Sequence, residues 1–234
     1  IALEWVREQN IKRFGIAGMG LIHTAYFESL RRALPGVEFV DASELLDGIR
    51  SRKSEDEVRF LRRSAAIADK AMGYVRSLVR PGVCESEMRA KLMQILTDHG
   101  GEEQIVIIGS APADGQLQPV PSFLQNRTLA AGDQAYICLI ASGPGGYFTS
   151  LGRMVSLGPP PASMEAAWRT VKEAQALMAS HLRPGALPAD VFQVYEEFLA
   201  QHGCRPERSL FAYGQGYDWI ERPSIRPDET MEIA

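Results

Sequence analysis

The chain has 234 residues, of which 45% are hydrophobic and 23% charged, and its net charge at pH 7 is −4. This composition is typical of a folded globular protein, and the length suffices for one large domain or one and a half ordinary ones. The small negative charge gives no electrostatic reason to expect nucleic acid or an anionic membrane as a partner, so we expect a small-molecule or peptide ligand. The longest apolar run, residues 135–141, is far shorter than the roughly 20 residues of a membrane-spanning helix.

The spacing of the cysteines indicates the redox environment of the protein. Cys84, Cys138 and Cys204 lie far apart and form no C-x-x-C pair. Neither a disulfide framework nor a zinc knuckle is therefore expected, and a reducing cytoplasm is predicted.

The first residue is Ile, and the chain stops at ETMEIA within an apolar pattern. We interpret these ends as those of a fragment of a longer protein, truncated at its C-terminus.

The first 46 residues alternate between helix-like and strand-like segments, in the order ALEWVREQN, RFGIAG, IHTAYFESLRRAL and VEFV. This order predicts an α/β unit whose sheet needs further strands. We interpret residues 1–46 as the C-terminal remnant of an α/β N-terminal domain, and residues 47–234 as the main domain.

A long helix is predicted from Ser54 to Val79. Ser54 and Glu57 belong to the capping box S-E-D-E, in which each side chain satisfies a free backbone amide at the helix start. Apolar residues then recur every three or four positions, so one face of the helix is predicted to be buried. The tripeptide R-P-G at residues 80–82 ends this helix.

The most informative pattern is an internal repeat with an offset of 103 residues. RPGVCESEMRAKLMQILTDHG begins at Arg80 and RPGALPADVFQVYEEFLAQHG begins at Arg183, and in both copies H-G follows R-P-G 19 positions later. A long amphipathic segment precedes each copy, at 54–79 and at 161–182. The repeat predicts two duplicated helix-helix-sheet halves packed about a pseudo-twofold axis.

Strands are predicted at 103–110, 134–142 and 146–158, where β-branched and aromatic residues are bounded by Gly and Pro. Pro144, Gly145 and Gly146 supply a tight connection, so the last two strands are predicted to pair as a hairpin. Helices layered on one face of this sheet would leave a cleft on the other. The predicted fold class is mixed α/β (α+β).

With these segments in order, the chain resembles the pita-bread family that holds Xaa-Pro aminopeptidases, prolidase, methionine aminopeptidase and creatinase. The resemblance rests on IRSRKSEDEVRFLRRSAAIADKAM, LAAGDQAYICLIASGPGGYFTSLGRMVSLG, LRPGALPADVFQVYEEFLAQHG and YGQGYDWIERPSIRPDETMEIA. It covers nearly the whole chain and implies the pita-bread fold. It also implies a homodimer, because members of the family usually pair through their N-terminal domains.

Most members of this family hold two divalent metals with two aspartates, one histidine and two glutamates. By resemblance, the first aspartate falls at or near Cys138, the second, in G-Y-x-x-D-x-x-R, on Ser150, and the histidine of H-G-x-G on Tyr213. A second family histidine, in H-E-x-P, falls on Ile220. The glutamate positions would lie past Ala234.

The residues alone give a similar indication about metal. From Gln134 to Met164 there is no Asp, Glu or His, so neither strand of the predicted hairpin offers a carboxylate or an imidazole. Two divalent cations in such a cleft would leave a large uncompensated charge. We therefore predict no dinuclear metal site and no cofactor.

Metal-free hydrolysis, as in creatinase, uses a histidine in the loop before the central hairpin. Here that loop, GQLQPVPSFLQNRTLAAGD, contains none. The histidines of the chain, His23, His99, His181 and His202, are predicted to lie at helix caps or on the surface.

The candidates that remain in the predicted cleft are Cys138, Tyr147, Ser150, Arg153, Tyr213, Tyr217, Asp218 and Glu221. Glu221 is predicted as a general base, with Tyr213 as the second catalytic candidate, because burial can raise the pKa of a carboxyl group toward neutrality. The competing interpretation is that Glu221 hydrogen-bonds the glycine turn at 214–216.

Four of these residues are predicted to bind the ligand. Arg153 is expected to hold a carboxylate or phosphate in a bidentate fork, and Tyr147 to line the same pocket. Ser150 and Cys138 are included as substrate-binding candidates. The alternative for these two is an ordinary strand hydroxyl and a buried core thiol, since neither has a base beside it in the sequence.

Three functions remain open. The first is a family member that has lost the metal site and binds a small peptide-like or amidine-like ligand, or hydrolyses a C-N bond in it without metal. The second is a metal-dependent Xaa-Pro aminopeptidase or prolidase whose ligands are placed differently. The third is a protein-interaction module that holds a peptide in the former substrate groove.

Overall fold

The computed structural model describes residues 2–115, 117, 126–206 and 212–234. The chain divides into two compact units, Ile1–Arg52 and Lys53–Ala234. None of the described helices is both long and apolar enough to cross a membrane. Residues 116 and 118–125 of the loop that carries the family's metal-free histidine position lie outside the described residues.

The first unit is a small α/β motif. Its elements are α1 (Ala2–Glu8), β1 (Arg13–Ile16), α2 (Thr24–Ala33), β2 (Glu38–Asp41) and α3 (Ser43–Ser51). β1 and β2 pair in parallel, with Phe14 opposite Phe39. Parallel neighbours require a crossover, and α2 lies on it. The helix-strand-helix-strand order predicted for this region is confirmed.

The described part of the second unit contains two helix pairs and two antiparallel sheets. Its helices are α4 (Glu55–Leu78), α5 (Glu85–Asp98), α6 (Ala162–His181) and α7 (Pro188–Gln201). Its strands are β3 (Gln104–Pro112), β4 (Asp133–Ser142), β5 (Phe148–Ser156), β6 (Ala212–Gly214) and β7 (Glu221–Ile225). β4 is the central strand of the sheet β3-β4-β5, and β6 pairs with β7.

Local signals fix the ends of these elements. The predicted capping box at the start of α4 is confirmed, because Glu57 N donates to Ser54 Oγ at 3.3 Å and Ser54 N donates to Glu57 Oε2 at 2.7 Å. The predicted β4-β5 hairpin is also confirmed. Gly145 and Gly146, in its turn, have φ of 96° and 76°, a region that glycine adopts without steric cost.

The two helix pairs are equivalent at the predicted offset. Adding 103 to the bounds of α5, 85 and 98, gives the bounds of α7, 188 and 201. Gly82 and Gly185 both adopt the left-handed conformation, with φ of 88° and 82°. Gly82 N donates to Leu129 O and Gly185 N donates to Ile233 O, each at 2.8 Å. The duplication of helix pairs, each with its own sheet, is therefore present in the structure.

The histidines lie at helix ends, as predicted. His23 caps the start of α2 by accepting from Ala25 N. The other three contact the carbonyl four residues earlier, with Nδ1···O distances of 2.8 to 2.9 Å at His99, His181 and His202.

Each half has its own apolar core. The first packs α4 and α5 against one face of the β3-β4-β5 sheet, with Met88, Leu92, Ile108, Ile137 and Leu139 all at most 1% exposed. The second contains Met178, Val191, Phe192 and Ile225. Because strand side chains alternate between faces, Tyr136, Cys138 and Ile140 lie on the face of β4 opposite the helices. We call this the site face; its residues on β4 and β5 are Tyr136, Cys138, Ile140, Ser150, Gly152 and Met154.

Candidate functional site

The centre of the site face carries a thiol and a hydroxyl. Cys138 lies opposite Gly152, and Ile140 lies opposite Ser150, in the β4-β5 register. The Cys138 Sγ to Ser150 Oγ distance is 3.8 Å. Cys138 is 8% exposed. The structure thus brings together two of the predicted ligand-binding residues.

Tyr136 belongs to the same group, although it was not among the predicted site residues. Burial raises the pKa of Tyr136 to about 12, and the neighbouring Cys138 thiol and Tyr213 phenol add to the increase. A Cβ on Gly152 would lie 3.0 Å from the Tyr136 hydroxyl oxygen, so the absence of a side chain there leaves room for the phenol. Tyr136 is therefore a neutral hydrogen-bonding group at physiological pH.

Tyr213 reaches this group from the second half of the duplication. It lies in β6, opposite Ser224 of β7, and its phenol is close enough to Tyr136 to influence the pKa of that residue. Tyr136, Cys138, Ser150 and Tyr213 together form what we call the neutral cluster.

Glu221, the predicted general base, has both carboxylate oxygens engaged. Lys53 Nζ lies 2.9 Å from Oε2, and Asp218 N donates to Oε1 at 3.1 Å. The Glu221 side chain is 4% exposed. A Cβ on Gly216 would overlap this carboxylate, so the glycine is what allows the turn to close around it. These contacts match the competing interpretation, in which Glu221 holds the glycine turn.

Tyr147 packs against α4. Its hydroxyl donates to Glu57 Oε1 at 2.8 Å, and its ring stacks on Phe60 with centroids 5.6 Å apart. Ser64 Oγ donates to the Tyr147 carbonyl at 2.6 Å. The backbone amide and hydroxyl of Ser54, followed by the Tyr147 hydroxyl, lower the pKa of Glu57. These contacts tie Tyr147 to α4, and none of them is with a residue of the neutral cluster.

Arg153 is not brought into the neutral cluster. It lies opposite Ile137, a core residue, in the β4-β5 register. Since it follows Ser150 by three residues, strand alternation places the two on opposite faces. Its side chain is exposed, and Nη1 donates to the Gly152 carbonyl at 2.7 Å. Its position does not favour the predicted contact with a ligand on the site face.

Tyr217 and Asp218 lie in the turn between β6 and β7. Tyr217 is 57% exposed and meets Tyr147 edge-on, with ring centroids 6.0 Å apart. Asp218 is anchored through its amide to Glu221. These two residues therefore border the site face from outside the neutral cluster.

The donors present do not suit a pair of divalent metals. Two such ions need several anionic or imidazole ligands, whereas the three positions that the family resemblance assigns to Asp, Asp and His hold a thiol, a hydroxyl and a phenol. Across residues 2–115, 117, 126–206 and 212–234, no three His, Cys, Asp or Glu side chains converge closely enough to hold a metal ion.

A duplicated helix-helix-sheet unit, with a polar cluster on one face of its sheet, matches the pita-bread class of proteins that the sequence resembles. The profile of metallopeptidase family M24 matches residues 59–234. The chain belongs to this family, and the pita-bread fold that the sequence predicted is thereby confirmed.

Similarity to individual proteins agrees with this assignment. The chain is 24% identical to the "Uncharacterized peptidase YqhT" of Bacillus subtilis, over 97% of this chain and 64% of that protein. It is 24% identical to an Xaa-Pro dipeptidase of Pyrococcus horikoshii, over 95% of this chain and 63% of that protein. The crystal structure of a prolidase from Pyrococcus horikoshii superposes with a TM-score of 0.86 at 22% identity, covering 99% of this chain and 66% of that one. The chain spans less than two thirds of the length of these two sequence relatives.

Proposed function

We propose that this chain is an M24 family member that binds a small peptide-like or amidine-like ligand without a dinuclear metal centre. One observation carries the proposal: the neutral cluster presents thiol, hydroxyl and phenol groups at the positions where the resemblance places carboxylates and an imidazole. Such side chains are ordinarily uncharged at pH 7, so they cannot balance the charge of two divalent cations.

Neutral donors of this kind suit a peptide-like ligand. Phenols and hydroxyls both donate and accept hydrogen bonds, so they can pair with the carbonyl and amide groups of a peptide bond. Tyr136 and Tyr213 also add aromatic surface for an apolar side chain of the ligand. A few polar groups among apolar surroundings is the usual composition of a small-molecule site.

Binding is favoured over metal-free hydrolysis. A general base must reach the reacting atoms, and both oxygens of Glu221 are used by Lys53 and by the turn at Asp218. The engaged carboxylate therefore argues against the base role that the sequence suggested, while Tyr213 remains available to a ligand. In this proposal Tyr213 serves binding, as do Cys138 and Ser150.

A second candidate function is metal-dependent Xaa-Pro dipeptidase or aminopeptidase activity. The observation in its favour is that a sequence relative matching 95% of the chain is named Xaa-Pro dipeptidase. It requires metal ligands at positions other than the neutral cluster.

The two candidates are separated by titrating an Xaa-Pro dipeptide in the calorimeter and following its cleavage, with added Mn²⁺ and again with EDTA. We expect binding that EDTA leaves unchanged and no cleavage in either condition. Tyr213→Phe should weaken binding by about fivefold, since a buried hydrogen bond contributes roughly 1 kcal/mol. Tyr74→Phe, at an exposed tyrosine of α4, is the matched control and should bind like the wild type. Cleavage that requires Mn²⁺ would reject the proposal in favour of the second candidate.

We further propose a cytoplasmic homodimer. The three cysteines are unbonded, which suits a reducing compartment. Light scattering on the purified protein tests the dimer, and a mass near 25.8 kDa, that of one chain, would reject it.

A further inference from the structure

A cavity of about 350 Å³ lies at the hairpin end of the site face. It is lined by Glu103, Ile105, Gly146, Phe148, Tyr217, Asp218 and Trp219. Ile105 lies in the same row as Ile140 and Ser150, and Phe148 lies one row further along, opposite Ser142. The cavity therefore adjoins the Ser150 end of the neutral cluster. We call it the outer pocket.

The lining of the outer pocket differs chemically from the neutral cluster. Three of its side chains are aromatic, and two of these are well exposed, Tyr217 at 57% and Trp219 at 40%. Two others, Glu103 and Asp218, are carboxylates, and none of the seven described residues that line the cavity is basic. Aromatic faces and carboxylates both attract cations, the former through the ring quadrupole.

Hydrogen bonds of the backbone anchor the segments that carry these groups. Glu103 and Ser142 are joined in both directions, with Glu103 N donating to Ser142 Oγ at 3.1 Å and Ser142 N donating to Glu103 O at 2.8 Å. Phe148 N donates to Gly216 O at 2.7 Å, which ties β5 to the turn that carries Tyr217. The segments that carry the acidic and aromatic walls are therefore anchored before any ligand arrives.

Gly146 shapes the pocket by leaving room for an aromatic ring. A Cβ at this position would lie 3.0 Å from Tyr217 Cε2, so the Tyr217 ring packs directly over the glycine backbone. The edge of the Tyr147 ring supports the same tyrosine. Tyr217 is thus held against the hairpin although more than half of its surface faces solvent.

We propose that the outer pocket binds an organic ammonium group. The described lining combines aromatic rings with two carboxylates and contains no basic residue. This lining favours a cation that also carries apolar surface, because such a cation gains cation–π and ionic attraction together. This deepens the proposed function and rests on it, since the neutral cluster would then hold the uncharged part of the same ligand.

The test compares choline with 3,3-dimethylbutan-1-ol, which has nearly the same shape but no charge. Binding is followed by Trp219 fluorescence in a Trp5→Phe/Trp168→Phe background, which removes the other two tryptophans of the chain. We expect choline to bind at least about tenfold more tightly than the alcohol, in keeping with the strength of cation–π contacts combined with a carboxylate. Equal affinity, or no binding of either compound, would overturn the proposal.

Two glutamates adjacent in sequence supply a matched control. Glu103→Gln should weaken choline binding about fivefold, whereas Glu102→Gln, at a neighbouring residue that does not line the pocket, should change it less than twofold. Equal effects of the two substitutions would show that only the general negative field attracts the cation, and would overturn the assignment to this pocket. Metal content measured on the same preparation reports on the proposed function, so failure of the pocket and failure of the metal-free cluster are distinguishable.

Discussion

At the scale of single residues, Glu221 shows how neighbours decide what a carboxylate can do. A buried acid in a cleft is the usual candidate for a catalytic base, but here Lys53 and the amide of Asp218 occupy both of its oxygens. Glycine at position 216 gives the carboxylate its space. The residue therefore connects the start of the second unit to the glycine turn.

The packing of Gly216 against the Glu221 carboxylate predicts the effect of adding a side chain at position 216. Gly216→Ala should destabilise the protein by about 2 to 4 kcal/mol, because the new methyl group displaces a buried, paired carboxylate. Gly73→Ala makes the same chemical change on an exposed position of α4 with nothing within 4 Å, and should stabilise by about 0.5 to 1 kcal/mol. Urea unfolding of both variants gives the sign of each change in the free energy of unfolding. If the two variants changed it in the same direction, the role given to Gly216 would be wrong.

A second residue-scale prediction concerns acid stability. Burial acts to raise the pKa of Glu229, but hydrogen bonds from Arg222 and from the amides of Met231 and Ser224 outweigh it and lower this pKa to about 2. Arg222 Nε lies 3.0 Å from Glu229 Oε2. A carboxylate with a depressed folded-state pKa adds stability above its unfolded value of 4.5, and this stability is lost as the pH falls toward 2.

Glu229→Gln should therefore cost on the order of 3 kcal/mol at pH 7, and the difference from wild type should shrink as the pH is lowered from about 5 to about 2. Glu232→Gln, at the exposed acid three residues later, should have little effect at either pH. Denaturant unfolding across this range provides the comparison. A Glu229→Gln deficit that stays constant with pH would show that packing, not charge, carries the contribution.

At the scale of elements, the repeat was the strongest sequence signal because its features are local. R-P-G stops a helix through the conformations of Pro and Gly, and H-G marks the next helix end, so both recur wherever the same helix pair recurs. Side-chain contacts between distant segments have no such signature. Lys53 and Glu221 are 168 residues apart, and nothing in either sequence neighbourhood predicts the pair.

Strand alternation explains the rest of the difference between prediction and structure. Listing site residues by motif grouped Ser150 with Arg153, although an odd spacing in a strand places two side chains on opposite faces. The same rule would have found Tyr136, two residues before Cys138 on the site face. The fold was thus predictable from segment order, whereas the composition of the site required the register.

The duplication makes an element-scale prediction. Gly82 and Gly185 occupy equivalent left-handed positions, and a Cβ at either would have nothing within 4 Å. Alanine at either position should therefore lower the free energy of unfolding only by the backbone conformational penalty, about 1 kcal/mol. The two substitutions should have similar effects. Thermal unfolding of the two variants tests this. A cost several times larger at one site would show that the two helix pairs are not energetically equivalent.

At the scale of the whole molecule, an M24 fold carries a thiol, a hydroxyl and phenols on the site face of its sheet. The duplicated helix pairs, the antiparallel sheet and the glycine turn build the site face. What differs from the family pattern is the chemistry of three side chains, Cys138, Ser150 and Tyr213. We propose that these three replacements change which ligand the site binds and leave the fold unchanged.

The decisive test of this proposal is the metal stoichiometry of the protein after incubation with Mn²⁺ and gel filtration. We expect well below one ion per chain for the wild type. The Cys138→Asp/Ser150→Asp/Tyr213→His variant should instead gain metal and show a higher melting temperature with Mn²⁺, because a bound ion stabilises the folded state. Two ions per wild-type chain, with cleavage of an Xaa-Pro dipeptide, would show a working dinuclear metal site and would reject the proposal.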